Sequence, residues 1–170
     1  MQNPSLSRRK LLISYVRELK DVKAKQVRLY TQWTDHDYSD QFNRFLSEQK
    51  EQISRQHVAL KALIDNWRGG ISQKPNDIVI GLLHEAEQID RYCREKNELI
   101  SVEPVLVQVL HGIIYHEIVI IRGALTLART LREPTIVTTL VNILEEQEQA
   151  YLQLRDFKEE KVGNNHNIYR

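Results

Sequence analysis

The sequence predicts an all-α protein built as an antiparallel four-helix bundle, with one shorter helix in the connection between its second and third core helices. Apolar side chains recur at spacings of three and four residues over four long stretches, which is the pattern of amphipathic helices. The 6 glycines and 4 prolines fall mostly between these stretches, and no run of useful length alternates as a strand would. Four long helices with one apolar face each are typical of a bundle.

Segments rich in turn and cap residues separate the predicted helices. The segment "TDHDYSD" (34–40) follows the first helix, "RGGISQKPN" (68–76) the second and "REPT" (132–135) the fourth. The helices are expected at Ser7–Thr34, Ser39–Trp67, Asn76–Asn97, from Ser101 up to the "REPT" segment, and at Pro134–Lys161. We expect one domain of residues 1–162, followed by a frayed tail of residues 163–170.

The composition excludes several classes of protein. Lys and Arg total 24 against 23 for Asp and Glu, a net charge of +1, which argues against a dedicated nucleic-acid-binding or polybasic membrane protein. Cys93 is the only cysteine, which rules out an internal disulfide and fits a reducing compartment. The apolar run from Val105 to Ile121 contains His116 and Glu117 among other polar residues, so it is a poor membrane span. We expect a cytoplasmic protein.

Each long helix carries a polar residue on its apolar face, far from its ends. The first helix has Gln26 there, the second has Gln49 and Gln56, the fourth has Glu117 and the last has Gln147. In an antiparallel bundle such residues can meet in one layer that crosses the core. The sequence therefore predicts a polar core layer made of these five residues.

Such a layer is where ferritin-like bundles hold two iron or manganese ions, bound by four carboxylates and usually two histidines. Two of the central ligand positions hold glutamine here, and the Glu-x-x-His pattern is absent. Two interpretations stay open. One is a metal-free layer of hydrogen-bonded Gln, Glu and His side chains. The other is a metal pair or single ion, and its candidate ligands are Glu51, His57, His116, Glu117 and Glu146.

Four segments resemble the YciE/YciF type of bacterial stress-associated ferritin-like proteins. They are "VRELKDV" (16–22), "GLLHEAEQI" (81–89), "YHEIVIIRGALTLARTL" (115–131) and "LEEQEQAYLQL" (144–154). The resemblance spans nearly the whole chain and implies the ferritin-like fold. It also implies that a ligand glutamate of the first helix is replaced here by Gln26, and that a Glu pair of the last helix becomes Glu146 and Gln147. The resemblance leaves open which residues of the second and fourth helices occupy the ligand positions, because the alignment to the family can be shifted along these helices.

A second, less favoured resemblance is to the hemerythrins. The segment "ISRQHVALKALIDNW" (53–67) is similar to their first iron-binding helix, and His84 with Gln88 imitates the next pair of ligands. The pattern then fails, because it needs a histidine at Tyr115 and the chain has none between Glu117 and Asn165.

We therefore expect a ferritin-like bundle whose di-metal site is lost or incomplete. It would act as a structural, stress-related or partner-binding protein rather than an enzyme. We expect no cofactor, and we expect the chain to form a homodimer or another homo-oligomer. The alternative is an iron- or manganese-binding oxidase or peroxide-detoxifying protein.

Neighbours on a helix point about 100° apart, so we expect Glu117 to face the bundle centre near Gln26 and Gln147, while His116 packs toward one neighbouring helix. In a metal-free layer of amides, Glu117→Gln would be tolerated.

Overall fold

The computed structural model describes residues 4–34, 38–65, 67, 77–96 and 99–165, and this part of the chain forms five α-helices and no strand. The helices are α1 (Pro4–Trp33), α2 (Asp40–Asp65), α3 (Asp77–Lys96), α4 (Leu99–Thr130) and α5 (Pro134–Asn165). The predicted all-α fold, with α3 as the shorter helix between the second and third core helices, is confirmed.

The four long helices form a closed bundle. α1 packs against α2 and α4, α5 packs against the same two helices, and α3 lies outside against α4 and α1. Arg9 pairs with Glu133 at 3.0 Å near one end of the bundle, whereas Gln26 reaches Glu117 halfway along it. Residue numbers thus rise along α1 as they fall along α4, so these neighbours run antiparallel.

Helix boundaries differ from the predicted ones by a few residues, as helix ends commonly do. α5 continues to Asn165, so the first part of the expected tail 163–170 is helical, while residues 166–170 lie outside the described part. α4 begins at Leu99, which places Pro104 inside the helix rather than in its first turn. The predicted break at 68–76 also lies entirely outside the described residues.

A tight turn ends α4 and starts α5. The Glu133 N–H donates to the Ala128 carbonyl at 3.0 Å, and the Arg132 N–H donates to the Arg129 carbonyl at 3.2 Å. This is the pair of hydrogen bonds of a Schellman motif, and Arg132 has the left-handed φ of 56° that the motif requires. Pro134 follows as the first residue of α5, where its missing N–H costs no intrahelical bond.

Two buried carboxylates hold the start of α2 against α3 and α4. Glu103 accepts hydrogen bonds from the Ser39 backbone N–H and, at 2.9 Å, from the Ser39 hydroxyl. Asp90 accepts a hydrogen bond from the Tyr38 hydroxyl and forms an ion pair with Arg94 at 2.9 Å. These contacts lie away from the polar residues of the bundle centre and serve to anchor the helix.

The core consists of two apolar clusters, one toward each end of the bundle. On α2, Ile53 belongs to one cluster and Leu60 to the other, with Gln56 between them. On α5, Ile143 and Ala150 are divided in the same way around Gln147. A layer of polar side chains therefore crosses the bundle between two hydrophobic halves.

The most apolar element is α4. Its stretch Val102–Thr130 is long and apolar enough to cross a membrane by composition, with a mean hydropathy of 1.7. In the bundle, half of the 18-residue segment with this mean hydropathy is buried. The core helix of a soluble protein meets the same criterion, and α4 contacts three other helices.

The inward faces of the long helices can be tested by truncation. Leu19, Ile53, Ile121 and Ile143 are at most 3% exposed. Changing any of them to Ala should lower the free energy of unfolding by roughly 2–5 kcal/mol, because each removes buried methyl groups and leaves a cavity. Val58→Ala is the control, since Val58 is 65% exposed and should change stability by less than about 0.5 kcal/mol. Urea unfolding measures both, and equal effects at buried and exposed positions would contradict the assigned faces.

Candidate functional site: the central polar layer

Five side chains from all four long helices form the central polar layer. They are Lys23, Gln26, Gln56, Glu117 and Gln147, and none is more than 2% exposed. Lys23 and Gln26 are one helical turn apart on α1, so both can face the same interior. The layer crosses the bundle between its two apolar clusters.

A buried ion pair lies at the centre of the layer. Lys23 Nζ is 2.8 Å from Glu117 Oε1, and both side chains are 0% exposed. Burial lowers the pKa of Lys23, while the charge of Glu117 and its hydrogen bond act in the opposite direction. Removing one partner of such a pair leaves an uncompensated charge in the protein interior, which is strongly unfavourable.

Two amides complete the surroundings of the ion pair. Gln26 Nε2 donates to Glu117 Oε2 at 3.1 Å. The Gln147 amide serves both charges when its nitrogen donates to Glu117 Oε2 at 3.1 Å and its oxygen accepts from Lys23 Nζ at 3.0 Å. The opposite orientation would instead donate to Gln56 Oε1 at 3.2 Å. We assign the first orientation, because hydrogen bonds to ionised groups are the stronger ones.

A second carboxylate lies at the edge of the layer. Gln56 Nε2 donates to Glu146 Oε2 at 2.7 Å, and Arg55 lies 3.8 Å from the other carboxylate oxygen. The Glu146 side chain is 38% exposed, so solvent weakens this second pairing. Each carboxylate near the bundle centre therefore has a cation of its own: Lys23 for Glu117 and Arg55 for Glu146.

Two polar atoms near the ion pair are buried without a hydrogen-bond partner among the described residues. They are Gln26 Oε1 and the Tyr30 hydroxyl. Burial raises the pKa of Tyr30, and the negative charge of Glu117 adds to that effect. Tyr30 is therefore a neutral hydroxyl, and the layer retains an amide oxygen that can accept a further hydrogen bond.

The structure brings together only part of the predicted site. Gln26, Gln56, Glu117 and Gln147 meet in the layer. Gln49 is buried but donates to Gln52 of its own helix at 3.1 Å. It lies two helical turns from Gln56, about 10 Å along the axis, so it belongs to a different level of the bundle.

The other candidate metal ligands do not join Glu117. Glu51 is exposed, and His57 and His116 are partly exposed. Within the described part of the chain, no three His, Cys, Asp or Glu side chains are placed to hold a metal ion. A di-metal centre of the ferritin-like type needs about four carboxylates. This layer has one fully buried carboxylate, already paired with an ammonium group, so its residues do not fit such a centre.

Lys23 is the residue of the layer that the sequence pattern did not indicate. An apolar stripe drawn along the first helix through positions 12, 15, 19, 22, 26, 29 and 33 leaves Lys23 outside. The alternative spacing 12, 16, 19, 23, 26, 30 and 33 has the same period and contains Lys23 at its middle; each of these residues is 0% exposed. The sequence feature that could have indicated the buried lysine is its position in the middle of this heptad pattern.

Comparison with known proteins identifies the family and supports the fold. The chain matches the family described as a domain of unknown function, DUF892, over residues 7–167. No curated protein matches it. The E. coli stress protein YciF is similar with a TM-score of 0.79 and 17% identity, over 96% of this chain and 99% of that one.

A second solved structure is YcfI from Rhodopseudomonas palustris, for which a structural role has been suggested. It is similar with a TM-score of 0.72 and 18% identity, over 87% of this chain and 92% of that one. At these identities the likeness shows the fold alone. The match over most of the chain shows the family, and it agrees with the YciE/YciF-type resemblance of the sequence. The chain therefore belongs to the DUF892 family and has the ferritin-like bundle fold.

Proposed function

We propose that this protein is a non-enzymatic, cytoplasmic ferritin-like bundle with a structural, stress-related or partner-binding role, and that its central layer works without metal. The observation that carries the proposal is the contact of 2.8 Å between Lys23 Nζ and Glu117 Oε1, with both side chains fully buried. This contact gives the layer an internal positive charge where a metal-binding bundle has only negative ones.

The lysine charge opposes a metal ion in two ways. It occupies the side of Glu117 on which a cation would bind, and it repels any cation nearby. A divalent ion 4 Å from an ammonium group is repelled by about 8 kcal/mol if the effective dielectric constant is about 20. The neutral amides of Gln26 and Gln147 offer little to offset that repulsion, because hard metal ions favour anionic oxygen.

A polar layer without metal still has a structural purpose. The ion pair joins α1 to α4, and the amides join the same carboxylate to α1 and α5. A shifted helix would separate Lys23 from Glu117 and leave both charges unpaired. The layer thus favours one alignment of the helices, which is the best-attested use of buried polar groups.

Stress-related and partner-binding roles are supported by the fold neighbours and by the surface. One neighbour is named as a stress protein, and a structural role has been suggested for the other. On the outer face of α4, Tyr115 and Val119 are each more than half exposed, and Arg122 pairs with Glu148 beside them at 2.7 Å. A patch that holds both charges can complement its own two-fold copy, which supports self-association as part of the proposal.

Metal analysis tests the absence of a metal centre. The purified protein, loaded with Fe²⁺ or Mn²⁺ without oxygen and then desalted, should hold far less than one metal ion per chain. Its thermal midpoint should be unchanged by the loading. Near-stoichiometric metal that disappears in Glu117→Ala, but persists in Glu48→Gln, would establish the alternative metal-binding function, because Glu48 is exposed and is not a candidate ligand.

A double-mutant cycle tests the ion pair. Because Lys23 Nζ lies 2.8 Å from Glu117, we expect Glu117→Gln to be destabilising, in place of the tolerance expected for a layer of amides alone. Glu117→Gln and Lys23→Met should each lower the free energy of unfolding by roughly 3–5 kcal/mol, since each leaves one buried charge unpaired. The double variant should recover most of that loss. Lys25→Met, an exposed lysine of the same helix, is the control and should change little. Additive losses in the double variant would show that the two charges do not stabilise each other.

A further inference from the structure

The end of the Lys23 side chain is surrounded by oxygen atoms. Glu117 Oε1 lies 2.8 Å from Nζ, and the Gln147 oxygen lies 3.0 Å from it. Gln26 Oε1 is a further buried oxygen without a partner among the described residues, on an amide that contacts the same carboxylate. One carboxylate and one amide oxygen therefore contact the ammonium group, and a second buried amide lies on the same carboxylate.

We propose that the central layer is a cation site whose cation is part of the chain: the Lys23 ammonium group takes the place of a free ion. The proposal rests on the metal-free function proposed above and adds a ligand class to the site. Once the Lys23 side chain is shortened, the layer should bind a small alkylammonium ion from solution. A second consequence is that the intact bundle keeps its stability whether or not metal is supplied.

The chemistry of the layer favours an ammonium ion over a metal ion. An ammonium group has three N–H donors and no acceptor, so it suits a site that offers one carboxylate and neutral amide oxygens. Its single charge is balanced by Glu117 alone. A divalent ion would need more anionic oxygen than this layer holds, because Glu146 lies at the edge and has Arg55 nearby.

The size of the ligand follows from the deleted atoms. Lys23→Ala removes three carbon atoms and the nitrogen, which together make n-propylammonium. Because Lys23 is 0% exposed, its deletion leaves a closed space lined by the layer. The propyl part of the ligand would refill the path of the lysine stem, and its ammonium group would meet Glu117 and Gln147.

Thermal unfolding with added n-propylammonium chloride tests the proposal. Lys23→Ala should melt well below the parent protein. Saturating ligand, about a hundredfold above its Kd, should raise the midpoint of that variant by roughly 5–10 °C. Sodium chloride at the same ionic strength and 1-propanol, which has the same shape without the charge, should not.

Three matched proteins separate binding in the layer from a general salt effect. The parent protein already holds its own ammonium group, and Lys23→Met fills the space with a neutral chain of similar length. Lys23→Ala with Glu117→Gln keeps the space but lacks the anion. None of the three should gain stability from n-propylammonium. A gain in all of them equal to that of Lys23→Ala would overturn the proposal.

The remaining outcomes also decide the question. If Lys23→Ala is isolated unfolded, refolding it from urea with n-propylammonium should recover the helical signal, and failure to do so overturns the cation site. A gain with Mn²⁺ in Lys23→Ala as large as the gain with n-propylammonium would overturn the proposal, because the layer holds too little anionic oxygen to favour a divalent ion. Stoichiometric metal in the parent would overturn the proposed function itself, whereas a metal-free parent with no rescue of Lys23→Ala overturns only this inference.

Discussion

A charge buried in a protein needs a counter-charge close by, and in this bundle that constraint is met by Lys23 and Glu117. Neither side chain reaches solvent, so each charge has the other as its close counter-charge. The remaining members of the layer follow from this pair. Gln26 and Gln147 supply the N–H donors that Glu117 still requires, and the oxygen of Gln147 accepts from the ammonium group. Gln56 lies beside Gln147 and donates to Glu146 at the bundle edge.

The same pair explains why the core is divided. Apolar burial is non-directional, so it distinguishes less sharply between alignments of the long helices than an ion pair does. A buried ion pair has only one good alignment. Placing it halfway along α1 and α4 fixes those two helices in register, and the hydrogen bonds from Gln147 bring α5 into the same alignment. The two hydrophobic clusters supply the stability, and the layer between them supplies the specificity.

Much of the architecture could be predicted from the sequence because helical periodicity is a local signal. The five helices, their order and the inward positions of Gln26 and Glu117 all follow from spacing. Lys23 could not be identified with equal ease, since Val22 and Lys23 are neighbours and both fit a three- and four-residue spacing. Gln49 was grouped with Gln56 because both lie on one face of α2, although they are two turns apart. The face of a helix on which a residue lies follows from the spacing in the sequence. The height of that residue along the bundle axis, relative to the other helices, is determined only by how the helices pack.

Lysine in the centre of a ferritin-like bundle changes what the fold can do. The architecture that elsewhere positions carboxylates for metal here positions an ammonium group against one carboxylate. The most direct test is a crystal structure of the full chain grown with excess Mn²⁺ or Fe²⁺, with anomalous diffraction recorded at the metal edge. We expect no anomalous peak in the central layer and a Lys23 nitrogen within hydrogen-bonding distance of Glu117. A metal peak bound by Glu117, with the lysine displaced from the layer, would contradict it.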